Sequence, residues 1–600
     1  MLKVVLAALN SQYVHSSLAP WCLRAGIMAY GQGEYEVQVV EGTVNEPLAE
    51  VAARVVAASP DVLGLCCYIW NIEAVKDLLP VVRTALPECV IVLGGPEVSF
   101  CAEETLKSIP EANYLIAGEG ELPLARLLDA LEGQGAPHEV PGLCCRKETG
   151  FHADSAYVHE MLPPSPYCPE YFDQLSGRIA YIEASRGCPF TCAFCLSGRR
   201  EGRPRFVPLE RVYDEIAALA HSGAKTIKFV DRTFNVNRNR ADAILNHIAD
   251  KAASFPPGIT FHFEIAGDIL ATSTLEIIAA APAGLFQFEI GLQSMSEATL
   301  SRVRRNTDMT KLKRNVRELI QCGRAHVHLD LIAGLTGEDL PTFIRGFDEA
   351  YQLGPHALQL GFLKLIPGSA MREEPNSYPC AYDPAPPYTV ISTPWMSAED
   401  LDTLKTAEKA LDKLHNSGRF YRTLKYLTRR LGLSPFGVFL RLGQAIARAE
   451  EKQPRPLSLD QLTACTLDTL QAFLPEHAAT LRDLMLLDRL ASVPSSVLPP
   501  CLKARDPRFF ETKRLLAARY PRTPGVTRAM GFLTAGGMSR VAFCDYADKN
   551  PVTGRYPVRI INLSVIKCRL TTHKIYVSLK IYEGITKSSK AHNRKNDMIR

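Results

Sequence analysis

Hydrophobic and polar positions fall into three regimes along this chain. Over the first 140 residues, short and almost wholly apolar runs alternate with longer stretches of helical periodicity. The runs at 3–8, 37–40, 62–67, 90–93 and 114–117 read as strands, and the amphipathic stretches between them as helices. Strands that are apolar on both faces and alternate with helices predict a parallel sheet covered on each side. This is the α/β, flavodoxin-like, doubly wound kind, assigned to residues 1–140. Proline then breaks the rhythm. Pro163, Pro164, Pro166 and Pro169 crowd a segment suited to neither helix interior nor central strand, so 141–176 reads as a linker.

A second α/β series follows. Strands are expected at 179–183, 226–230, 260–265, 286–291, 326–332 and 357–365, with charged helices such as 208–221, 237–251 and 308–322 between them. Six βα units in succession predict a partial (β/α)6 barrel over 177–394, with its active site at the C-terminal ends of the strands. From 395 the pattern turns helical. Ser397 stands three residues before Asp400, and Ser458 three before Gln461, which is the spacing of a capping box. Asn416, Ser417 and Gly418 form a stop signal. Leu401, Leu404, Ala407, Leu411 and Leu414 make an apolar stripe that would pack on the barrel. Residues 395–564 are therefore expected to be a mainly helical extension, with mixed strand-like character from 521 to 563.

Charge changes the picture at one end only. The formal net charge is +4, but nine basic residues against two acidic ones in 565–600 carry +7, leaving the body near −3. A body built to follow a phosphate backbone is absent, so nucleic acid is not an expected partner beyond that basic tail. No run of eighteen apolar residues occurs, and no membrane partner is expected. The opening MLKVVLAALN lacks a small-residue cleavage site and reads as a first strand, so the chain is expected to be cytoplasmic. Seventeen cysteines in a long chain of this kind point to metal binding or buried thiols before disulfides.

Three of those cysteines carry chemistry. Cys188, Cys192 and Cys195 follow the first expected barrel strand in EASRGCPFTCAFC. Cysteine thiolates hold 4Fe–4S clusters, normally four at a time, so three on one loop leave one iron open to another ligand. A zinc site would want a fourth Cys or His at close spacing, and none follows.

The aromatic before the third cysteine, with Gly187 and Pro189 around the first, makes this string similar to the signature of the radical S-adenosylmethionine (SAM) superfamily. That resemblance implies a 4Fe–4S cluster whose open iron is chelated by SAM. It implies reductive cleavage of SAM to a 5′-deoxyadenosyl radical, and Phe194 beside the SAM adenine. Later strand ends resemble the family's SAM-approaching segments: KFVD with Asp231, FEIAGD with Glu264, EIGLQS with Gln293 and DLIAGL with Ile332. Each is implied as a SAM contact.

Four loops after strands of the first region would meet at the switch point of a doubly wound sheet, where such sheets bind ligands. They carry Asn10, His15 and Ser16; Tyr68 and Trp70; Gly94, Gly95, Pro96 and Glu97; and Glu119 and Gly120. Glycine permits close backbone approach and aromatics supply contact area, which suits a large flat ligand. The GGPEVSF and GEGE strings resemble the cobalamin-binding domain of cobalamin-dependent radical SAM proteins, and those loop residues are implied as its contacts. The D-x-H-x-x-G motif that supplies a lower axial histidine elsewhere is absent. His15 has the wrong spacing, and is expected to hydrogen-bond the corrin edge or its own loop.

These resemblances imply an enzyme that methylates an unactivated carbon of a small molecule, using the deoxyadenosyl radical and methylcobalamin. An electron donor such as flavodoxin or ferredoxin would serve it. The region after 395 resembles an uncharacterised extension found in one subgroup. Three other readings stay open at this point: a cyclase or rearranging enzyme, a methylthiotransferase-like modifier of RNA or protein, and a non-catalytic cobalamin sensor. Catalytic residues other than cofactor ligands are not assigned.

Overall fold

The computed structural model describes residues 1–563, apart from 161, 198–203, 505, 522 and 538–539. Five parallel strands open the chain: β1 (Leu2–Asn10), β2 (Tyr35–Thr43), β3 (Val62–Cys66), β4 (Val90–Gly94) and β5 (Tyr114–Ile116). They lie in the order β2-β1-β3-β4-β5, the expected doubly wound arrangement with its switch point at β1 and β3. Alternate residues of β1 serve two cores. Val4 and Leu6 meet Ile27, Leu124 and Leu128 on one face, while Val5, Ala7 and Leu9 join the core of Val51, Val55, Val75 and Leu79 on the other.

The sheet does not end at β5. Strands β6 (Leu143–Arg146) and β7 (Phe151–Ala153) continue it antiparallel to seven strands, inside the segment the proline pattern assigned to a linker. Runs of three and four residues are too short for periodicity to register. The proline-rich connection therefore starts after Ala153.

The barrel follows. Its strands are β8 (Ile179–Ile182), the short antiparallel pair β9 (Ser185–Arg186) and β10 (Arg205–Phe206), then β11 (Thr226–Phe229), β12 (Thr260–Ile265), β13 (Phe286–Gln293), β14 (His326–Ala333) and β15 (Ala357–Phe362). The six parallel members lie in the order β8-β11-β12-β13-β14-β15, an open (β/α)6 arc as expected. Their alternation is sharp. Phe229, Phe261, Phe263, Phe286 and Phe288 are buried with helix residues such as Ile244, Leu245 and Val316. The intervening positions, among them Lys228, His262, Glu264, Glu289, His328 and Asp330, form a polar concave face.

After β15 a strap of two short strands, β16 (Ala381–Tyr382) and β17 (Val390–Ser392), leads into the extension. Helices Ala398–Ala410, Pro435–Glu450, Leu459–Phe473 and Ala478–Ser492 build it. Both expected capping boxes are present, at Ser397 with Asp400 and Ser458 with Gln461. Leu401, Leu404, Ala407, Leu411 and Leu414 are fully buried and share one core with the barrel. A three-stranded antiparallel sheet of β18 (Arg528–Leu533), β19 (Arg540–Asp545) and β20 (Arg559–Asn562) ends the described chain. The basic tail 565–600 lies outside the described residues. Among those described, no helix is long and apolar enough to cross a membrane.

The first domain is stitched to the barrel through the loop after β1. Ile179 N–H donates to the Val14 carbonyl at 2.8 Å, and the Ser16 hydroxyl donates to the Ile179 carbonyl at 2.8 Å. Arg178 reaches back to Glu41 at 2.7 Å, with both side chains only 7% exposed, and its Nε donates to the Tyr13 carbonyl at 3.0 Å.

Candidate functional site

That stitching brings the C-terminal ends of both sheets face to face, and a cavity of about 580 Å³ lies between them. The first domain supplies the loops after β1, β3, β4 and β5. The barrel supplies Tyr181, Glu183, Arg186, Val230 and Arg232. Asn10, His15, Ser16, Tyr68, Trp70, Gly94, Gly95, Pro96, Glu119 and Gly120 all line it, so these expected residues converge.

The floor is shaped by backbone and rings. Gly95 has φ +116°, and a Cβ there would run into the Cys67 carbonyl oxygen, so only glycine fits. Tyr68 and Trp70 stack in parallel with centroids 4.3 Å apart, and the Trp70 indole N–H donates to the Leu9 carbonyl at 3.1 Å. Gly64, Leu65, Val92, Ile116 and Leu124 make the deep end apolar. A large ligand with a flat face and an apolar appendage suits this shape.

Several expected contacts are committed elsewhere. His15 Nδ1 lies 2.7 Å from the Tyr181 hydroxyl, so it bonds the barrel and not its own loop, and burial lowers its pKa. Asn10 donates to Glu41 at 2.9 Å and accepts from the Ser17 hydroxyl at 2.6 Å. Glu119 faces Arg186 and Arg205. Glu97 leaves the cavity altogether: it is 3% exposed and accepts from the Tyr388 hydroxyl on the strap. Its position after Pro96 suggested the floor, but the chain turns there and aims the carboxylate at the strap.

A second, almost wholly polar cavity of about 160 Å³ sits at the barrel mouth. Phe190, Arg232, Thr233, Glu264, Ala266, Glu289, Gly291, Gln293, Arg305 and Asp330 line it. Glu264 and Gln293 are where expected. Gln293 adopts φ +66° at a register shift between β13 and β14. Three other expected contacts are not there. Asp231 is 2% exposed and accepts from Ala184 N–H at 2.9 Å and from the Ser185 hydroxyl, so it pins the strand entering the cysteine loop. Burial raises its pKa to about 7 despite those donors. Ile332 packs against the barrel core. Phe194 does likewise, and Phe190 is the loop aromatic that faces the cavity.

The concave face below is a charge network. Lys228 Nζ lies 3.3 Å from both Glu264 and Glu289, and Glu289 lies 3.0 Å from His262. His328 meets Asp330 at 3.1 Å. Burial, then the charges of Glu289 and Glu264, hold the Asp330 carboxyl well above the usual range. Burial would raise Glu289 too, but the His262 hydrogen bond and Lys228 draw it below.

The three cysteines occupy the loop between β9 and β10, whose pairing fixes both its ends. Ala193 N–H donates to the Val303 carbonyl, and Met371 N–H to the Ala193 carbonyl, each at 2.9 Å. Cys188 Sγ lies 3.5 Å from the Thr233 hydroxyl. Cys192 is buried, and Arg305 donates to its sulfur at 3.7 Å. Burial raises that thiol's pKa, and the guanidinium opposes the rise. No three His, Cys, Asp or Glu among the described residues close around a single metal ion. A cubane suits the loop better, since its thiolates bind separate irons and stand further apart.

The sequence pattern missed Tyr181, Arg186, Arg232 and Arg305. Arg186 stands two residues before Cys188; it joins Glu121 at 2.6 Å across the domain boundary and Glu183 at 2.8 Å within the barrel. Its place in EASRGC was the available signal.

Comparison with known families fits this geometry. Residues 5–128 match the B12 binding domain and 182–346 the radical SAM superfamily. The chain joins a B12-binding domain to a radical SAM domain. The cofactors of those two domains are cobalamin, a 4Fe–4S cluster and SAM. Residues 376–521 match a family described as protein of unknown function (DUF4080), a span that includes both strap strands and most of the extension.

An uncharacterised methyltransferase of Pyrococcus horikoshii is 28% identical over 35% of this chain and 48% of that protein. The cobalamin-dependent radical SAM methyltransferase TokK of Streptomyces tokunonensis is 23% identical over 66% of this chain and 60% of its own length. The chain thus spans about half to three-fifths of these relatives. Anaerobic magnesium-protoporphyrin IX monomethyl ester cyclases also match. The cobalamin-dependent SAM radical enzyme OxsB, solved with aqua-cobalamin and SAM bound, shares the fold. Its TM-score is 0.58 at 14% identity, covering 82% of this chain and 79% of that one.

Proposed function

We propose that this B12-binding and radical SAM chain is an enzyme that methylates an unactivated carbon of a small molecule. The observation that carries the reading is the shared cavity: the floor of the B12-binding domain opens onto the loops of the radical SAM barrel. Cys188, Cys192 and Cys195 would hold the cluster, with Arg305 stabilising the Cys192 thiolate. Glu264, Gln293 and Arg305 would orient SAM in the polar cavity. Gly94, Gly95, Tyr68, Trp70 and the apolar slot behind them would seat the corrin. When bound, these groups supply a hydrogen-abstracting radical and a methyl donor, chemistry that belongs to the cofactors. The chain's own residues orient them, exclude water and hold the two sites in register. His15, bonded through Nδ1 to Tyr181, would hold its ring against the barrel side of the corrin site. A flavodoxin or ferredoxin would supply electrons.

The test is anaerobic purification with metal analysis, followed by product analysis with methyl-labelled SAM. About four irons and one cobalt per chain are expected, with label in the product. Cys188→Ala, Cys192→Ala and Cys195→Ala should each lose the iron. Iron without cobalt would overturn the corrin assignment. Both metals and SAM cleavage without label transfer would replace methylation by ring closure or rearrangement, the reading that the cyclase relatives favour.

A further inference from the structure

The segment directly behind the cysteine loop is the most cationic stretch of an otherwise slightly acidic body. Between residues 302 and 317 there are seven basic side chains and one acidic one, Asp308. Five of the seven are exposed: Arg302, Arg304, Lys311, Arg314 and Arg317. Lys311, Arg314 and Arg317 recur at three-residue spacing, which puts them on one face of the helix Met309–Cys322.

Some of this charge is neutralised locally. Arg304 pairs with Glu374 at 2.6 Å, Lys311 with Asp308 at 3.0 Å and Lys313 with Glu349 at 2.7 Å. Arg302, Arg314 and Arg317 have no ion-pair partner among the described residues. Arg302 instead lies 5.9 Å from the centre of the half-buried Trp395 ring, a cation–π contact that leaves its charge uncompensated.

A solvated helix face explains such charge on most proteins, but this one is wired inward. Arg305 of the same segment touches the Cys192 sulfur, and Val303 accepts the Ala193 N–H. The polypeptide that displays the cations is therefore the polypeptide that braces the loop carrying the thiols. We propose that this face docks an acidic one-electron donor protein, a flavin or iron–sulfur carrier whose prosthetic group is ringed by carboxylates. The inference rests on the cluster assignment made above. In the step it serves, one electron leaves the reduced donor and enters the oxidised cluster; no bond is made or broken and no proton moves. Opposite charge would raise the encounter rate and orient the donor, an effect that salt screens.

The test uses the full chain with its cluster reconstituted, reduced flavodoxin as the probe, and stopped-flow loss of cluster absorbance as the readout. The triple variant Arg302→Glu, Arg314→Glu, Arg317→Glu removes the unpaired cations and leaves Arg305 and the paired residues intact. Its second-order rate should fall about tenfold or more at low salt, and the wild-type rate should fall steeply as salt is added. Reduction by dithionite, which needs no docking face, and the thermal midpoint should both stay close to wild type. A flavodoxin rate within about twofold of wild type, or a wild-type rate indifferent to salt, would overturn the proposal. So would a patch whose reversal abolishes binding of a structured RNA while flavodoxin reduction is unchanged. A chain that assembles no cluster at all fails the proposed function as well, and iron analysis separates that outcome from the others.

Discussion

At the scale of single residues, Asp231 shows how position and role part company. Its place after β11 suggested a cofactor contact, yet the carboxylate is spent on Ala184 and Ser185 and titrates near 7. The folded state thus holds a proton that the unfolded chain gives up near pH 4, so this residue makes stability fall as pH rises from about 4 to about 7. Asp231→Asn removes that dependence. Urea unfolding should show the variant gaining on wild type between pH 5 and pH 8 by on the order of 2 kcal/mol, and equal slopes would contradict the assignment. Glu97 makes the same point through its bond to Tyr388. Sequence places a carboxylate at a strand end; only packing decides which way it turns. The arginines escaped notice for the converse reason, since Arg186 and Arg305 draw their meaning from partners distant in sequence.

At the scale of elements, much more was legible. Every parallel strand of both sheets was foreseen within a few residues, because burial on two faces writes itself as continuous apolar runs, and burial on one face as alternation. The capping boxes at Ser397 and Ser458 were legible because their chemistry is local. The hairpin of β6 and β7 was not, since its two short strands gain their meaning only from the exposed edge of β5. Loop geometry carries a prediction here. Gly95→Ala forces a Cβ against the Cys67 carbonyl at a φ that alanine avoids. The strain should cost on the order of 1–3 kcal/mol and lift the floor of the shared cavity. Equilibrium dialysis with cobalamin should show binding weakened by about tenfold or more, 1.4 kcal/mol being one factor of ten. Unchanged binding would remove this loop from the corrin site.

At the scale of the whole molecule, the proposed function depends on two domains keeping their spacing, and side chains from both sides enforce it. Arg178 and Glu41 are a buried pair across that boundary. Arg178→Met leaves the Glu41 carboxylate buried with only its neutral donors, a loss in the range of about 3–5 kcal/mol for breaking such pairs. Limited proteolysis should then cut faster in the proline-rich connection, and a wild-type cleavage rate would show the interface to be held by other contacts. The shared cavity has a further consequence for how the protein is made. Its floor is complete by Leu124, but its far wall waits for Tyr181, Arg186 and Arg232, and the brace on Glu97 waits for Tyr388. Domains fold in order as they leave the ribosome. The first domain therefore emerges as half a vessel, and a corrin meeting it during synthesis finds a floor without walls. Only the finished chain can enclose a ligand from both sides.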